Sequence, residues 1–228
     1  MTIRATTFCP QILLSAPRRS AGVPNSIGTK VLYTSSTYSF EDHKKTSELR
    51  CLDIKSSEST LLTSDDGVSE PVWLEDEEEH EVFAVLKSGK EGSTDIVIGS
   101  STHGFKWKDS YVAGTIEAPA NSLKIAKLGR GKFAVVVAAK AYPDGSLYNP
   151  DKAPKTQSTG RLYKSLFVRH WDEYVGKEKN ALWYTTLTRD GQEGKFRLGK
   201  LVNALKGSSL ESPVAPFGGT DNFDVSST

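Results

Sequence analysis

The residues best equipped for chemistry lie together in Phe167-Val168-Arg169-His170-Trp171-Asp172-Glu173-Tyr174. One guanidinium, one imidazole and two carboxylates sit among four aromatic or apolar side chains. Arg169 suits a bidentate carboxylate, and Asp172 or Glu173 an ammonium. With His170 they make a set that can clamp the charged end of a substrate in a partly apolar cleft. The same spacing also suits a strand whose arginine and aspartate stitch one sheet to the next while Trp171 fills the seam. Arg169, His170, Asp172 and Glu173 are the candidate substrate-binding residues.

Nothing in the chain matches a known catalytic signature. There is no G-x-S-x-G elbow; Ser100 and Ser101 lie between Gly99 and Gly104, but the glycines are wrongly spaced. H-E-x-x-H, the phosphate-binding G-x-x-x-x-G-K-[ST] loop and a strand-to-helix G-x-G-x-x-G are all missing from the sequence. No catalytic residue is therefore assigned, and no cofactor is expected. His43, His80, His103 and His170 are scattered over four segments, so no metal site is expected either. The acidic run from Glu75 to Glu81 lacks the spacing of a calcium loop and reads as a solvated turn.

The elements that would position the cluster recur at a regular interval. Apolar strand cores occur at Lys30–Thr34, Glu81–Leu86, Lys132–Val137 and Asn180–Tyr184. With Leu32, Val85, Val135 and Trp183 as markers, the separations are 53, 50 and 48 residues. A repeat of that length built from short strands is the pattern of β-propeller blades. The expected fold is all-β: an incomplete propeller of about four blade-like antiparallel sheets, with almost no helix. After an N-terminal segment, 1–14, the expected units are 15–64, 65–109, 110–164 and 165–214, with a fifth beginning at 215–228. Within the first, Ser47–Ile54 alternates with period 2, placing Leu49 and Cys51 on one face. The stretch from Tyr142 to Leu162 is punctured by Pro143, Gly145, Pro150, Pro154 and Gly160 and reads as a long loop.

Composition agrees with short strands. Apolar residues make up 37% of the chain, because a half-buried strand needs only one apolar face. Lys plus Arg number 29 against 28 Asp plus Glu, a balance that gives no electrostatic reason to expect nucleic acid or an anionic membrane. No apolar run approaches the length of a membrane helix, and Gln11–Leu14 is too short for a secretory signal core. Cys9 and Cys51 are the two cysteines; one disulfide or none is compatible with that count.

The segment Leu166–Val175 with Lys179–Tyr184 resembles the propeller of the fungal dipeptidyl peptidase V group, in the prolyl oligopeptidase family of serine peptidases. Leu13–Gly22, Thr34–Phe40, His43–Glu48, Asp144–Pro150 and Ala215–Asp221 resemble it as well. The likeness implies a secreted two-domain enzyme. A propeller caps an α/β-hydrolase domain carrying Ser, Asp and His in that order, and dipeptides are released from the N-termini of short peptides. The implied catalytic residues fall beyond residue 228, so this chain is expected to be a catalytically inactive propeller fragment. It departs from the group in showing no signal peptide, and in having Ile27-Gly28 where Asp-Gly is usual. The competing expectation is a stand-alone propeller that binds a protein partner.

Overall fold

The computed structural model describes residues 9–75, 81–155, 158–164 and 166–227. Among the described residues the one α-helix, α1 (Pro10–Ser15), precedes β1 (Arg18–Arg19), β2 (Val23–Pro24), β3 (Lys30–Ser39), β4 (Lys44–Asp53) and β5 (Ser59–Thr63). These strands form the first sheet in the order β1-β3-β4-β5, with β2 also on β3. The second sheet runs β6 (Val68–Trp73), β7 (Val82–Ser88), β8 (Thr94–Ser100), β9 (Tyr111–Ile116), in sequence order. The third contains β10 (Ala120–Gly129) and β11 (Lys132–Ala141). After the hairpin of β12 (Arg169–His170) and β13 (Glu173–Tyr174), it continues with β14 (Lys179–Arg189), β15 (Phe196–Leu198) and β16 (Val202–Asn203). Its order is β10-β11-β14-β15, with β16 beside β14. The acidic run expected as a turn lies mostly outside the described residues.

The all-β expectation is correct; in place of about four equal blade-like sheets, the described residues form three sheets of four or five strands and one two-stranded hairpin. Leu32, Val85 and Val135 each lie on the second strand of a sheet, so the first two intervals are true sheet-to-sheet spacings. Trp183 lies within the third sheet, on β14, directly opposite Val137 of β11. Strands β10 and β11 of the expected unit 110–164 and β14, β15 and β16 of 165–214 thus share one sheet, interrupted by an insertion. The strand Tyr111–Ile116, assigned above to the third unit, closes the second sheet against β8. Residues 215–227 contain no strand, only a short 3₁₀ turn at Thr220–Asn222.

Burial explains why some strands alternate and others do not. The second sheet is covered on both faces. On β7, Phe83 and Val85 join Leu32, Leu49 and Cys51 of the first sheet. Ala84 and Leu86, pointing the other way, join Phe133, Val135, Val137 and Trp183 of the third. A strand buried on two sides must read as a continuous apolar run. On β4, by contrast, Leu49 and Cys51 face the second sheet while Glu48 and Arg50 pair on the outer face at 2.8 Å. Cys9 and Cys51 are both free thiols, and burial pushes the Cys51 thiol above its ordinary pKa.

Polar contacts fix the sheets at two seams. Lys30 Nζ on β3 donates to Glu81 Oε1 at 2.5 Å and to the Ser101 carbonyl at 2.9 Å. The lysine hydrogen bond holds the Glu81 carboxyl below its ordinary range. A depressed carboxyl contributes stability above its unfolded pKa of about 4.3 and loses it as pH falls through the folded value. Glu81→Gln is therefore expected to flatten the dependence of melting temperature on pH between about 5 and 3; an unchanged slope would remove this pair from the seam. The other seam joins β6 to β10. Each carries a bulge with a left-handed residue, Glu70 (φ 51°) and Ser122 (φ 59°). The bulge frees the Leu123 N–H from its ladder, and Glu70 Oε2 accepts it at 2.6 Å.

Candidate functional site

The insertion between β11 and β14 carries every sequence-predicted site residue. Its first part is tightly built. Asp144 Oδ1 accepts the Ser146 N–H and hydroxyl at 2.8 and 2.6 Å, and these bonds hold its carboxyl below the usual range. Gly145, at φ 82°, makes the turn, and the Tyr148 N–H returns to the Lys140 carbonyl at 2.9 Å. Asn149 is 5% exposed; its Nδ2 donates to the Glu91 and Glu117 carbonyls, both at 2.9 Å. The loop read from its prolines and glycines is thus pinned to the second sheet by this amide and by the Lys152–Glu117 ion pair beside it.

Further along, the chain turns back at Trp171, a left-handed residue with φ 51°. Arg169 pairs with Tyr174, and His170 with Glu173. The Val175 N–H closes the hairpin on the Val168 carbonyl at 3.0 Å. Arg169, His170, Asp172 and Glu173 are therefore brought together within one hairpin. Among the described residues none of the four makes an ion pair.

The seam-filling alternative for Trp171 is wrong. Its ring is 71% exposed and meets Phe217 edge-on at 5.6 Å, outside the three sheets. A two-residue ladder has too little apolar area of its own to be drawn into a sheet interface, and aromatic contacts hold it instead. Tyr163 stacks on Tyr174 at 6.4 Å, Arg161 lies over the Tyr174 ring at 4.8 Å, and Phe167 sits 5.8 Å from His170. Together with Leu162 and Leu166 these side chains expose an apolar patch flanked by guanidinium groups, a composition found at binding surfaces. Arg161, Tyr163 and Phe217 were not identified from sequence, because only the fold brings them to the hairpin. Among the described residues no group of three or more His, Cys, Asp or Glu is placed to hold a metal ion. No helix among them is long and apolar enough to cross a membrane.

The fold is similar to part of two solved structures. Pyrococcus horikoshii acylaminoacyl peptidase superposes with a TM-score of 0.55 over 85% of this chain and 26% of its own, at 7% identity. An acylaminoacyl peptidase in complex with Z-Gly-Gly-Phe-chloromethyl ketone gives the same score. At that identity the likeness concerns the fold alone. No family model matches the chain.

Sequence comparison reaches a more particular relative, the one whose motifs were recognised above. The chain is 34% identical over 226 residues to dipeptidyl-peptidase 5 of Aspergillus fumigatus, and 35% identical over 221 residues to that of Trichophyton schoenleinii. Dipeptidyl-peptidase 5 of Aspergillus oryzae is 33% identical over 229 residues. The A. fumigatus match covers 97% of this chain, which spans about 30% of the length of that relative.

Proposed function

We propose that this chain is the propeller part of a dipeptidyl-peptidase 5-like serine exopeptidase, which releases dipeptides from the N-termini of short peptides when joined to an α/β-hydrolase domain. The observation that carries the proposal is similarity over 97% of the chain to part of a dipeptidyl-peptidase 5. In this reading the three sheets are consecutive blades, and residues 215–227 lead into a further one. A blade cannot bury both of its faces alone and depends on its neighbours, as the two-sided second sheet does here.

The propeller supplies access and orientation, not bond cleavage. Acyl transfer by a serine needs a nucleophile, a base and an oxyanion hole, and these 228 residues carry no nucleophile elbow. The Arg169–Glu173 hairpin faces the hydrolase domain in this reading and orients a peptide terminus. On an open surface such charges contribute only about 0–1 kcal/mol as ion pairs. In a cavity closed by the second domain the same charges become selective.

The test compares this chain with a longer one that includes the hydrolase domain, using a chromogenic dipeptidyl substrate. The short chain is expected to match a no-protein control, and the longer one to turn over. In the longer chain, Arg169→Ala and Glu173→Ala are each expected to raise KM with unchanged melting. Turnover by the repurified short chain would overturn the proposal. Lost melting temperature at unchanged KM would remove the hairpin from the site.

A further inference from the structure

We infer that a cleft on the outer face of the third sheet binds a small organic carboxylate. The inference goes beyond the peptidase reading and stands on different residues. The cleft has a volume of about 450 Å³, within the range of small-molecule sites. Its floor is the outward face of β11 and β14, where Lys140 and Asn180 are direct cross-strand partners. Tyr148 joins them because its N–H is bonded to the Lys140 carbonyl at 2.9 Å. The far wall is the tail, tied down by the Asn180 Nδ2 bond to the Pro213 carbonyl at 2.9 Å. Pro119 and Pro150 stiffen the remaining sides.

Two donors line this space without partners. Among the described residues the Lys140 ammonium makes no ion pair, and the Tyr148 phenol makes no hydrogen bond. Burial raises the phenol's pKa, so it stays protonated and able to donate. Its ring is steadied edge-on against Tyr142 at 5.0 Å. No aspartate or glutamate lines the cleft. Glu178 acts on the Tyr148 phenol, and Glu211 Oε1 takes the Asn180 backbone N–H at 3.2 Å, but neither side chain forms part of the wall. An ammonium and a phenol O–H complement the two oxygens of one carboxylate, since both donate and lysine cannot accept. Asn121 lies at the rim for a neighbouring amide.

The experiment titrates the 228-residue chain with N-acetylglycine and, separately, with the neutral N-acetylglycinamide, read by calorimetry. Saturable binding of the acid and none of the amide is expected. Lys140→Met and Tyr148→Phe are each expected to weaken the acid about tenfold, the scale of one charge-assisted hydrogen bond. Melting temperatures of both variants are expected to match the parent, so weaker binding is not read as unfolding. Equal affinity for acid and amide, no saturation with either, or full acid affinity in both variants would each overturn the site. None of these outcomes depends on the dipeptidyl assay, so the two proposals fail separately.

Discussion

Trp183→Ala is expected to destabilise the chain by roughly 3–5 kcal/mol, the scale for removing a large aromatic from a packed core. The side chain is 6% exposed, lies between the second and third sheets, and donates Nε1–H to the Ala139 carbonyl at 3.1 Å. Truncation removes the contacts and leaves a void that two opposed sheets cannot close without moving their ladders. Phe133, on the same interface and edge-on to Phe196 at 5.7 Å, is expected to behave alike. Urea unfolding of each variant measures the loss. A change below about 1 kcal/mol, or a solvent-like emission maximum assigned to Trp183 by comparison with the variant, would contradict this packing.

The second large effect is expected at Asn149, where alanine removes donors from two carbonyls that lie on different loops of the second sheet. The bonds are part-buried, so each stranded carbonyl costs less than a fully buried acceptor, for which the scale is about 1–3 kcal/mol, and a loss of roughly 1–3 kcal/mol in all is expected in urea unfolding. The Asp151 N–H, which donates to Asn149 Oδ1 at 2.9 Å, loses its partner as well. Limited proteolysis is expected to accelerate within 150–164, because the amide anchors the start of that stretch, where Lys152 alone would still pair with Glu117. Unaltered unfolding together with unaltered cleavage would show that the loop is held elsewhere.

Much of the architecture was legible in the sequence, for identifiable reasons. The unbroken apolar run Val82–Leu86 marks a strand buried on both faces, and the alternation around Leu49 and Cys51 marks one buried on a single face. The third interval misled because counting a period cannot distinguish a blade from an insertion of similar length. The residues between Ala141 and Lys179 add most of one repeat to the chain while adding only the two-stranded hairpin β12–β13. The punctured stretch from Tyr142 onward was the available clue: a loop there lets β11 and β14 be neighbours. The hairpin cluster was visible because its residues are consecutive. Tyr163 and Phe217 were not, since aromatic contacts across the fold leave no local pattern. The pairing of Lys140 with Tyr148 was hidden likewise, because strand register and one backbone hydrogen bond create it.

The insertion also bears on how the chain reaches this structure. In the first two sheets the central hairpins, β3–β4 and β7–β8, are closed by only a few residues, 40–43 and 89–93. The central ladder of the third sheet, β11 with β14, closes a loop of 142–178 instead. Loop-closure entropy rises by about 0.6 kcal/mol for each doubling of length, so this ladder starts at a disadvantage of about 2 kcal/mol. Contacts distant in sequence form slowly for the same reason. The first two sheets are the natural nucleus, and the third completes itself on the surface they present. Until it does, Ala84, Leu86, Ile96 and Ile98 stand open to water, and the nascent molecule offers other chains its stickiest face.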